Sequence, residues 1–274
     1  MTSDFYPPEV IQSLLGIGGK SPSVALVLGS GLGRFAAEIQ NSRRVEARDI
    51  PGYPVSTVEG HAGSLVFGSI SHNERRSPEL LVFQGRVHYY ESGDISTAVA
   101  PVRLAHALGA RTIILTNAAG GIDTSLRPGD LMVLDDLLSL NPLRLTSDTS
   151  AQLRYVTESF DVQLTSLLQD ISVQIGIQLT HGTYAWVHGP SYETAAEISM
   201  LRIMGAHAVG MSTVPETYEA RRLGMRVVGI SLISNMGTGI LPTKLSHSEV
   251  TTTAREASDK FARLLRMFLT HIDS

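Results

Sequence analysis

The chain contains 274 residues, of which 43% are hydrophobic and 18% charged, and it carries a formal net charge of -4. These proportions are typical of a soluble globular protein and exclude a disordered chain or a coiled coil. The slight acidic excess disfavours nucleic acids and anionic membranes as partners. Because there is no cysteine, disulfide bonds and thiolate metal sites are excluded, and we expect no bound metal.

Neither a targeting segment nor a domain boundary is visible in the sequence. Residues 1–10 lack the basic start and apolar stretch of a signal peptide, and no apolar run reaches the roughly 18 residues of a membrane helix. No repeat, low-complexity tract or linker stands out. We therefore expect a soluble cytoplasmic protein with a single domain over residues 1–274, although this length would also accommodate two small domains.

The N-terminal part of the chain predicts a strand that enters a glycine-rich turn. After a short helix predicted over residues 8–16, the apolar run V-A-L-V-L (Val24–Leu28) is typical of a strand buried on both faces. It is followed by G-S-G-L-G at residues 29–33 and by an alanine-rich segment, residues 34–40, that we expect to be helical. A strand, turn and helix in this order present backbone N–H groups to an anion, with Ser30 between the glycines.

Two other interpretations of this glycine-rich turn are possible. A dinucleotide site is disfavoured because Arg34 stands where G-x-G-x-x-G needs its third glycine. A plain tight turn that requires positive φ remains the alternative to an anion site.

Residues 79–91 combine a predicted strand with three functional side chains. Strands are predicted over residues 64–68 and 79–84, joined by a polar hairpin loop, and the second strand runs into Q-G-R-V-H-Y-Y-E. If the extended backbone continues, its period of two places Arg86, His88 and Tyr90 on one face. A guanidinium, an imidazole and a phenol together favour an anion site beside a sugar site, with a solvated edge strand as the alternative. His61, in the loop G-H-A-G, is a further candidate for the anion side.

The middle of the chain predicts a second wall of the same pocket. A helix is predicted over residues 96–108, bent at Pro101, and the strand T-I-I-L-T at residues 112–116 runs into N-A-A-G-G. Small residues at the carboxyl end of a strand allow a ligand to approach the backbone closely. The alternative is an ordinary transition from strand to loop.

The C-terminal half predicts further strands that lead to polar residues. Strands are expected over residues 131–134, 183–187, 206–211 and 226–235, with helices over residues 161–175 and from Pro215 onwards. The strand at residues 206–211 is followed by Ser212, and the strand at residues 226–235 ends at Asn235, whose amide can donate and accept hydrogen bonds.

Two capping boxes place polar residues at helix starts. The pattern T-A-A-E at residues 194–197 begins a helix, so Glu193 lies just before it, where a carboxylate can also serve only to complement the helix dipole. The pattern S-H-S-E at residues 246–249 places His247 in the first turn of a long C-terminal helix.

Taken together, the motifs resemble those of the trimeric purine nucleoside phosphorylases. The matching segments are G-S-G-L-G, G-H-A-G, Q-G-R-x-H-x-Y-E, T-N-A-A-G-G, G-P-S-Y-E-T, V-G-M-S-T-V-P-E and S-L-I-S-N, and they follow the family's order between residues 29 and 247. The resemblance implies the nucleoside phosphorylase fold, an α/β single domain whose mixed, twisted central β-sheet is flanked by helices. It also implies a homotrimer that uses inorganic phosphate as co-substrate and needs no cofactor.

The same resemblance implies a role for each candidate residue. The phosphate contacts are Ser30, Arg86, His88, Ser212 and the backbone around Asn117 and Ala118, with His61 near the anion. The ribose contacts are Tyr90, Met211 and His247. The purine contacts are Tyr192, Glu193 and Asn235, and the catalytic residues are His88, Glu193 and Asn235.

The implied reaction is phosphorolysis of the bond between C1′ of the sugar and N9 of the purine. Positive charge grows on the ribose while negative charge grows on the departing base, so a bound phosphate stabilises the sugar and then captures C1′ without an enzyme nucleophile. Asn235 donates toward N7 or O6 of the base, and Glu193 accepts from N1–H and the 2-amino group.

Two residues indicate the substrate. The amide of Asn235 serves a 6-oxo purine, whereas the related methylthioadenosine phosphorylases carry an aspartate there, and His247 suits a 5′-hydroxyl. We therefore expect guanosine and inosine as preferred substrates, in purine salvage. Methylthioadenosine phosphorylase and a non-catalytic purine-binding module are the alternatives.

Two positions depart from the family's pattern. Relatives place an aromatic residue of the neighbouring subunit near the site, and the closest matches here are Leu153 and the displaced Tyr155. Met236 replaces a lysine or leucine of various relatives, and no effect is assigned to it.

Overall fold

The computed structural model describes residues 5–58, 63–140, 159–241 and 257–273, and a mixed nine-stranded sheet forms its centre. The strands are β1 (Val24–Leu28), β2 (Gln40–Glu46), β3 (Ser64–Ser69), β4 (Ser71–His72), β5 (Arg75–Arg76), β6 (Leu80–Gln84), β7 (Thr112–Gly121), β8 (Leu131–Ser139), β9 (Leu179–Trp186), β10 (Ala208–Gly210) and β11 (Arg226–Met236). The order across the sheet is β10-β9-β8-β11-β7-β1-β6-β3-β2, and β4 and β5 form a separate hairpin.

The central strands of the sheet run parallel. β1 pairs in parallel with β6 and β7, and β7 pairs in parallel with β11. The carboxyl ends of these strands therefore lie at the same edge, where open α/β sheets bind ligands. All five residues of β1 are buried, as expected for the apolar run V-A-L-V-L covered on both faces.

The sheet closes on itself through its shortest strand. β10 pairs in parallel with β9 and antiparallel with β7, where Val209 lies opposite Gly120. Since β9, β8, β11 and β7 are successive neighbours, β10 completes a closed ring of strands. This closure brings the residues that follow β10 next to the second half of β7.

Helices cover both faces of the sheet. They are α1 (Pro8–Gly18), α2 (Tyr89–Ser92), α3 (Ile95–Ala98), α4 (Ala100–Ala107), α5 (Val162–Gln174), α6 (Ala195–Ile203), α7 (Val214–Arg222) and α8 (Ser258–Leu269). Alternate residues of β1 enter two cores. Ala25 and Val27 lie in the core with residues of α1, α4 and α7, and Leu26 lies in the core with residues of α5 and α8. Among the residues described, none of the helices has the length and apolar character required to cross a bilayer.

The α/β single-domain class with a mixed sheet between helices is confirmed. The predicted strands are also confirmed, although several extend further than expected and the strand predicted over residues 206–211 covers only Ala208–Gly210. The helix expected over residues 34–40 is confirmed in part: a 3-10 helix spans Gly33–Glu38, and Gln40 already belongs to β2. β2 was not predicted because its sequence, Q-N-S-R-R-V-E, is polar and the strand is mostly exposed at the sheet edge.

The helix predictions need two more corrections. The predicted helix over residues 96–108 consists of α3 and α4, which meet at Val99. Pro101 lies in the first turn of α4, where its missing N–H costs no hydrogen bond, so it begins a helix instead of bending one. α1 continues past Gly16 and ends at Gly18, and its C-cap is Gly19, whose φ is 75°. The capping box predicted at residues 246–249 lies outside the described residues.

Candidate active site

One cavity of ≈ 270 Å³ lies where the carboxyl ends of the parallel strands meet. The predicted residues that line it are Ser30, Arg86, His88, Tyr90, Asn117, Ala118, Tyr192, Glu193, Met211, Ser212 and Asn235. Every candidate that falls on the described part of the chain thus reaches the same cavity. The other candidates, His61 and His247, lie outside the described residues, as do Leu153 and Tyr155.

The first wall forms where β1 and β7 approach each other. A Cβ atom at Gly29 would lie 2.7 Å from Asn117 Cα and 2.8 Å from Thr116 O, so this approach requires glycine. Thr116 Oγ1 accepts a hydrogen bond from Gly29 N at 3.2 Å and donates one to Val27 O at 2.8 Å. These contacts fix the start of the turn that carries Ser30 into the cavity.

The segment from Arg86 to Tyr90 differs from its prediction. β6 ends at Gln84, and His88 is the N-cap of α2, which begins at Tyr89. The alternation of Arg86, His88 and Tyr90 along one continuous strand is therefore wrong. The three side chains nevertheless line the same cavity, and the rings of His88 and Tyr90 stack with centroids 5.0 Å apart and planes at 11°.

Arg86 borders the cavity but is held by the protein. Its Nη1 donates to Glu216 Oε2 at 3.1 Å and to Thr213 Oγ1 at 3.3 Å, and its Nη2 donates to the Thr116 carbonyl oxygen. The Arg86 and Glu216 side chains are only 1% and 2% exposed. A buried charge needs such a partner, because removing one member of a buried pair leaves an uncompensated ion.

Glu91 connects His88 to a neighbouring loop. Its Oε1 accepts a hydrogen bond from His88 N at 2.6 Å and lies 3.3 Å from His88 Nδ1, and its Oε2 accepts from Thr57 N at 2.7 Å. Burial alone would raise the pKa of Glu91, but the hydrogen bonds from His88 and Thr57 outweigh burial and lower the pKa to about 2. The ionised carboxylate therefore fixes the position of His88 against the loop that contains Thr57.

A second hydrogen-bond network lies behind Ser212. Asn117 Nδ2 donates to Thr213 Oγ1 at 2.9 Å, and Ser231 Oγ donates to Asn117 Oδ1 at 2.8 Å. Thr213 Oγ1 lies 3.1 Å from Ser212 Oγ. Polar side chains from β7, β11 and the start of α7 are thus linked beneath the side of the cavity that Ser212 lines.

The cavity is also lined by Glu193, which directly precedes the N-cap residue of α6, Thr194. The predicted capping box is confirmed: Thr194 N donates to Glu197 Oε2 at 2.7 Å, and Glu197 N donates to Thr194 Oγ1 at 3.2 Å. Burial raises the pKa of Glu193 above its usual value of 4.5, and the charge of Glu197 adds to the increase. A carboxylate that is poorly solvated because of burial gains most from a ligand that donates hydrogen bonds to it.

Asn235 reaches the cavity because of an irregularity in β11. The pairing of β11 with β7 shifts register between Ile233 and Asn235, so Ser234 is an extra residue. Such a bulge redirects side chains, and both Ser234 and Asn235 line the cavity. Ser234 Oγ donates to Asn235 Oδ1 at 2.7 Å, and Asn235 Nδ2 donates to Met236 O at 3.1 Å. The amide nitrogen carries a second N–H that can serve a ligand.

Four supporting residues were missed by sequence reasoning: Glu91, Thr213, Glu216 and Ser234. All four lie inside the motifs Q-G-R-V-H-Y-Y-E, V-G-M-S-T-V-P-E and S-L-I-S-N. Each is a polar side chain next to a candidate residue or one helical turn from it. That proximity is the signal that would have identified them, because buried polar groups need partners.

The fold and this cavity define a member of the Phosphorylase superfamily. The sequence model of that family matches residues 23–270, and the chain belongs to it.

Within this superfamily, the chain is similar to proteins named purine nucleoside phosphorylase. Purine nucleoside phosphorylase 1 of Geobacillus stearothermophilus is 45% identical over 251 residues, which cover 90% of this chain and 90% of that protein. Purine nucleoside phosphorylase of Rattus norvegicus is 38% identical over 264 residues, which cover 92% of this chain and 89% of that protein. The structure of Schistosoma mansoni purine nucleoside phosphorylase in complex with inosine superposes with a TM-score of 0.86 at 28% identity, covering 97% of this chain and 96% of that chain. A structure of the same parasite enzyme contains adenosine.

Proposed function

We propose that the protein cleaves purine nucleosides with inorganic phosphate, releasing the free purine and (deoxy)ribose 1-phosphate. The observation that carries this proposal is a cavity lined by two chemically different sets of residues. One set contains the donors Ser30, Arg86, His88 and Ser212, to which we assign the phosphate, and the other contains Glu193 and Asn235, to which we assign the base. The names of the relatives agree with this activity.

The donor set suits the phosphate. Two hydroxyl groups, an imidazole and the buried guanidinium of Arg86 surround it, and backbone groups near Ala118 complete the wall. As the bond between C1′ and N9 lengthens, positive charge develops on the ribose, and the neighbouring phosphate stabilises that charge before bonding to C1′. The phosphate is therefore the nucleophile, and the protein contributes position and electrostatics.

The second set suits a 6-oxo purine. The N–H of the Asn235 amide donates toward N7 or O6, where negative charge develops as the base leaves, and the ionised carboxylate of Glu193 accepts from N1–H. We therefore assign inosine and guanosine as the preferred substrates. Methylthioadenosine, whose base carries a 6-amino group, is disfavoured by an amide at this position.

The remaining assignments extend the same proposal. The ribose contacts Tyr90 and Met211, which also line the cavity. Tyr192, partly exposed at the rim, covers the base. We further propose a cytoplasmic homotrimer that works in purine salvage without a cofactor, with His61 and His247 completing the phosphate and 5′-hydroxyl contacts.

One assay tests this function. Purified protein is incubated with inosine, guanosine, adenosine or methylthioadenosine, each with and without phosphate, and free base is measured by chromatography. We expect hypoxanthine and guanine, formed only when phosphate is present. Release of base at an equal rate without phosphate, or a preference for adenosine or methylthioadenosine, would overturn the assignment.

A further inference from the structure

Thr213 has an unusual backbone conformation for a threonine. Its φ is 72° and its ψ -46°, and its side chain is completely buried. Positive φ is a genuine outlier for a β-branched residue and persists only where surrounding contacts hold it. Here Thr213 N donates to Glu216 Oε2 at 2.7 Å, and the same carboxylate oxygen accepts from Arg86 Nη1. Strain of this kind at the wall of a site calls for a functional explanation.

The hydrogen bonds of the Thr213 hydroxyl determine where its proton points. Oγ1 accepts from Asn117 Nδ2 at 2.9 Å and from Arg86 Nη1 at 3.3 Å. Ser231 Oγ donates to Asn117 Oδ1 at 2.8 Å, which fixes the amide so that its nitrogen faces Thr213. A threonine hydroxyl has two lone pairs and one proton. Both lone pairs are occupied, so the proton is directed to the remaining neighbour, Ser212 Oγ, at 3.1 Å.

We propose that Thr213 is a positioning residue for phosphate. Its hydroxyl donates to Ser212 Oγ, so the Ser212 hydroxyl accepts from the protein and directs its own proton into the cavity, toward a phosphate oxygen. The same Thr213 oxygen holds one arm of Arg86. A single buried hydroxyl therefore orients two phosphate donors, and the positive φ of Thr213 places it between them. This inference rests on the proposed phosphorolysis.

The test compares isosteric Thr→Val substitutions at two positions near the N-terminus of α7, Thr213 and Thr217. Thr213→Val keeps the β-branched shape but removes the hydroxyl. Thr217→Val is the matched control, because Thr217 is also fully buried and its hydroxyl has no hydrogen-bond partner among the described residues. Thr213→Ser restores the hydroxyl without the methyl group. For each protein, kcat, the KM for phosphate and the KM for inosine are measured, together with Tm.

We expect Thr213→Val to raise the KM for phosphate by about tenfold or more, as for the loss of a hydrogen bond to a charged group. The KM for inosine should stay within about twofold, because Thr213 is linked to phosphate donors and not to Glu193 or Asn235. Thr213→Ser should return the phosphate KM close to the wild-type value, and Thr217→Val should leave it unchanged. In a Ser212→Ala background, Thr213→Val should have a smaller effect, since the part that acts through Ser212 is already lost and only the part that acts through Arg86 remains.

Several results would overturn the positioning role. One is an unchanged KM for phosphate in Thr213→Val. Another is an equal rise in the KM for phosphate and the KM for inosine in that variant. A third is a rise in the KM for phosphate in Thr217→Val as large as that in Thr213→Val. If Thr213→Val does not fold, Thr213→Ala removes the same hydroxyl with less crowding at positive φ and takes its place in the comparison. The wild-type assay separates the two proposals: if wild-type activity does not depend on phosphate, the proposed function fails, whereas phosphate-dependent activity with an insensitive Thr213→Val refutes only the positioning role.

Discussion

Exchanging Asn235 for aspartate should convert a donor for 6-oxo purines into an acceptor. In the wild type, Asn235 is 9% exposed, its Oδ1 accepts from Ser234 Oγ at 2.7 Å, and its Nδ2 donates to Met236 O at 3.1 Å. Asn235→Asp keeps the first contact and loses both N–H groups. One carboxylate oxygen then faces the Met236 carbonyl oxygen, an arrangement in which neither atom donates. N7 and O6 of inosine find no donor.

The size of the effect follows from the lost donor. Removing one preorganised donor to a developing anion costs roughly 10² to 10³ in kcat, or about 2.7–4 kcal/mol. Inosine cleavage should fall by about that factor. Adenosine should lose less or gain, because its 6-amino group can donate to the carboxylate, so the ratio of kcat/KM for inosine to adenosine should fall by at least about 10².

The assay is phosphorolysis of both nucleosides at saturating phosphate. The KM for phosphate, measured separately at varied phosphate, is an internal control that should not change. Asn235→Ala is the comparison variant, since it removes the donor without supplying an acceptor and should reduce inosine cleavage with no gain on adenosine. If Asn235→Asp cleaves inosine as well as the wild type, the amide is not the donor to the leaving base and the proposed specificity is wrong.

Three further predictions concern carboxylates. Because burial raises the folded-state pKa of Glu193, the ionised form of Glu193 lowers stability at neutral pH. Glu193→Gln should therefore raise Tm at pH 7 and lose this advantage at pH values below 4.5, the usual pKa of the carboxyl group. The same variant should reduce kcat/KM for inosine by about 10² or more. Because the pKa of Glu91 is lowered to about 2, its stabilising effect is complete above 4.5 and lost as the pH falls toward about 2; Glu91→Gln should flatten that acid dependence and raise the phosphate KM through His88. Glu219 is fully buried, and its Oε1 lies 2.6 Å from Arg103 Nε and 2.7 Å from Arg222 Nη2. Glu219→Ala should lower the free energy of unfolding by roughly 3–5 kcal/mol, which corresponds to a decrease of about 10 °C in Tm.

Each carboxylate prediction has its own control. Thermal melts of Glu193→Gln and wild type between pH 4 and 8 should converge at the acid end, and a difference that grows there contradicts the raised pKa. For Glu91, the exposed Glu197 offers a matched variant, Glu197→Gln, which should leave the phosphate KM unchanged; equal effects would mean that the His88 contact is unimportant. For Glu219, a Tm within about 2 °C of the wild type would show that the flanking arginines find other partners.

Apolar runs in the sequence predicted the buried strands of the sheet, whereas the polar strand β2 was not predicted. Val24–Leu28 and the run that begins β7 are fully buried, so their composition alone identifies them. β2 is exposed and carries two arginines, and such an edge strand has no hydrophobic pattern to detect. Pro101 illustrates a different limit, because one residue can bend a helix or begin one, and only the preceding backbone decides between them.

The cavity residues were predictable, but their geometry was not. The order of the motifs predicted that Arg86, His88 and Asn235 share one site. The strand assumed to continue through Arg86, however, ends two residues before it. The register shift at Ser234 and the positive φ of Thr213 depend on tertiary contacts, and neither serine nor threonine signals such a conformation in a sequence.

The closure of β10 onto β7 also affects how the protein behaves in crowded solution. Ring closure removes one of the two free margins that a nine-stranded sheet would otherwise expose. Within the described part of the chain, the other margin is β2, whose exposed residues include Arg43 and Arg44. An incoming strand from another molecule would have to pair with a charged, water-exposed ribbon, which discourages amyloid-like stacking. The architecture that assembles the cavity thus also protects the protein from self-association through its strands.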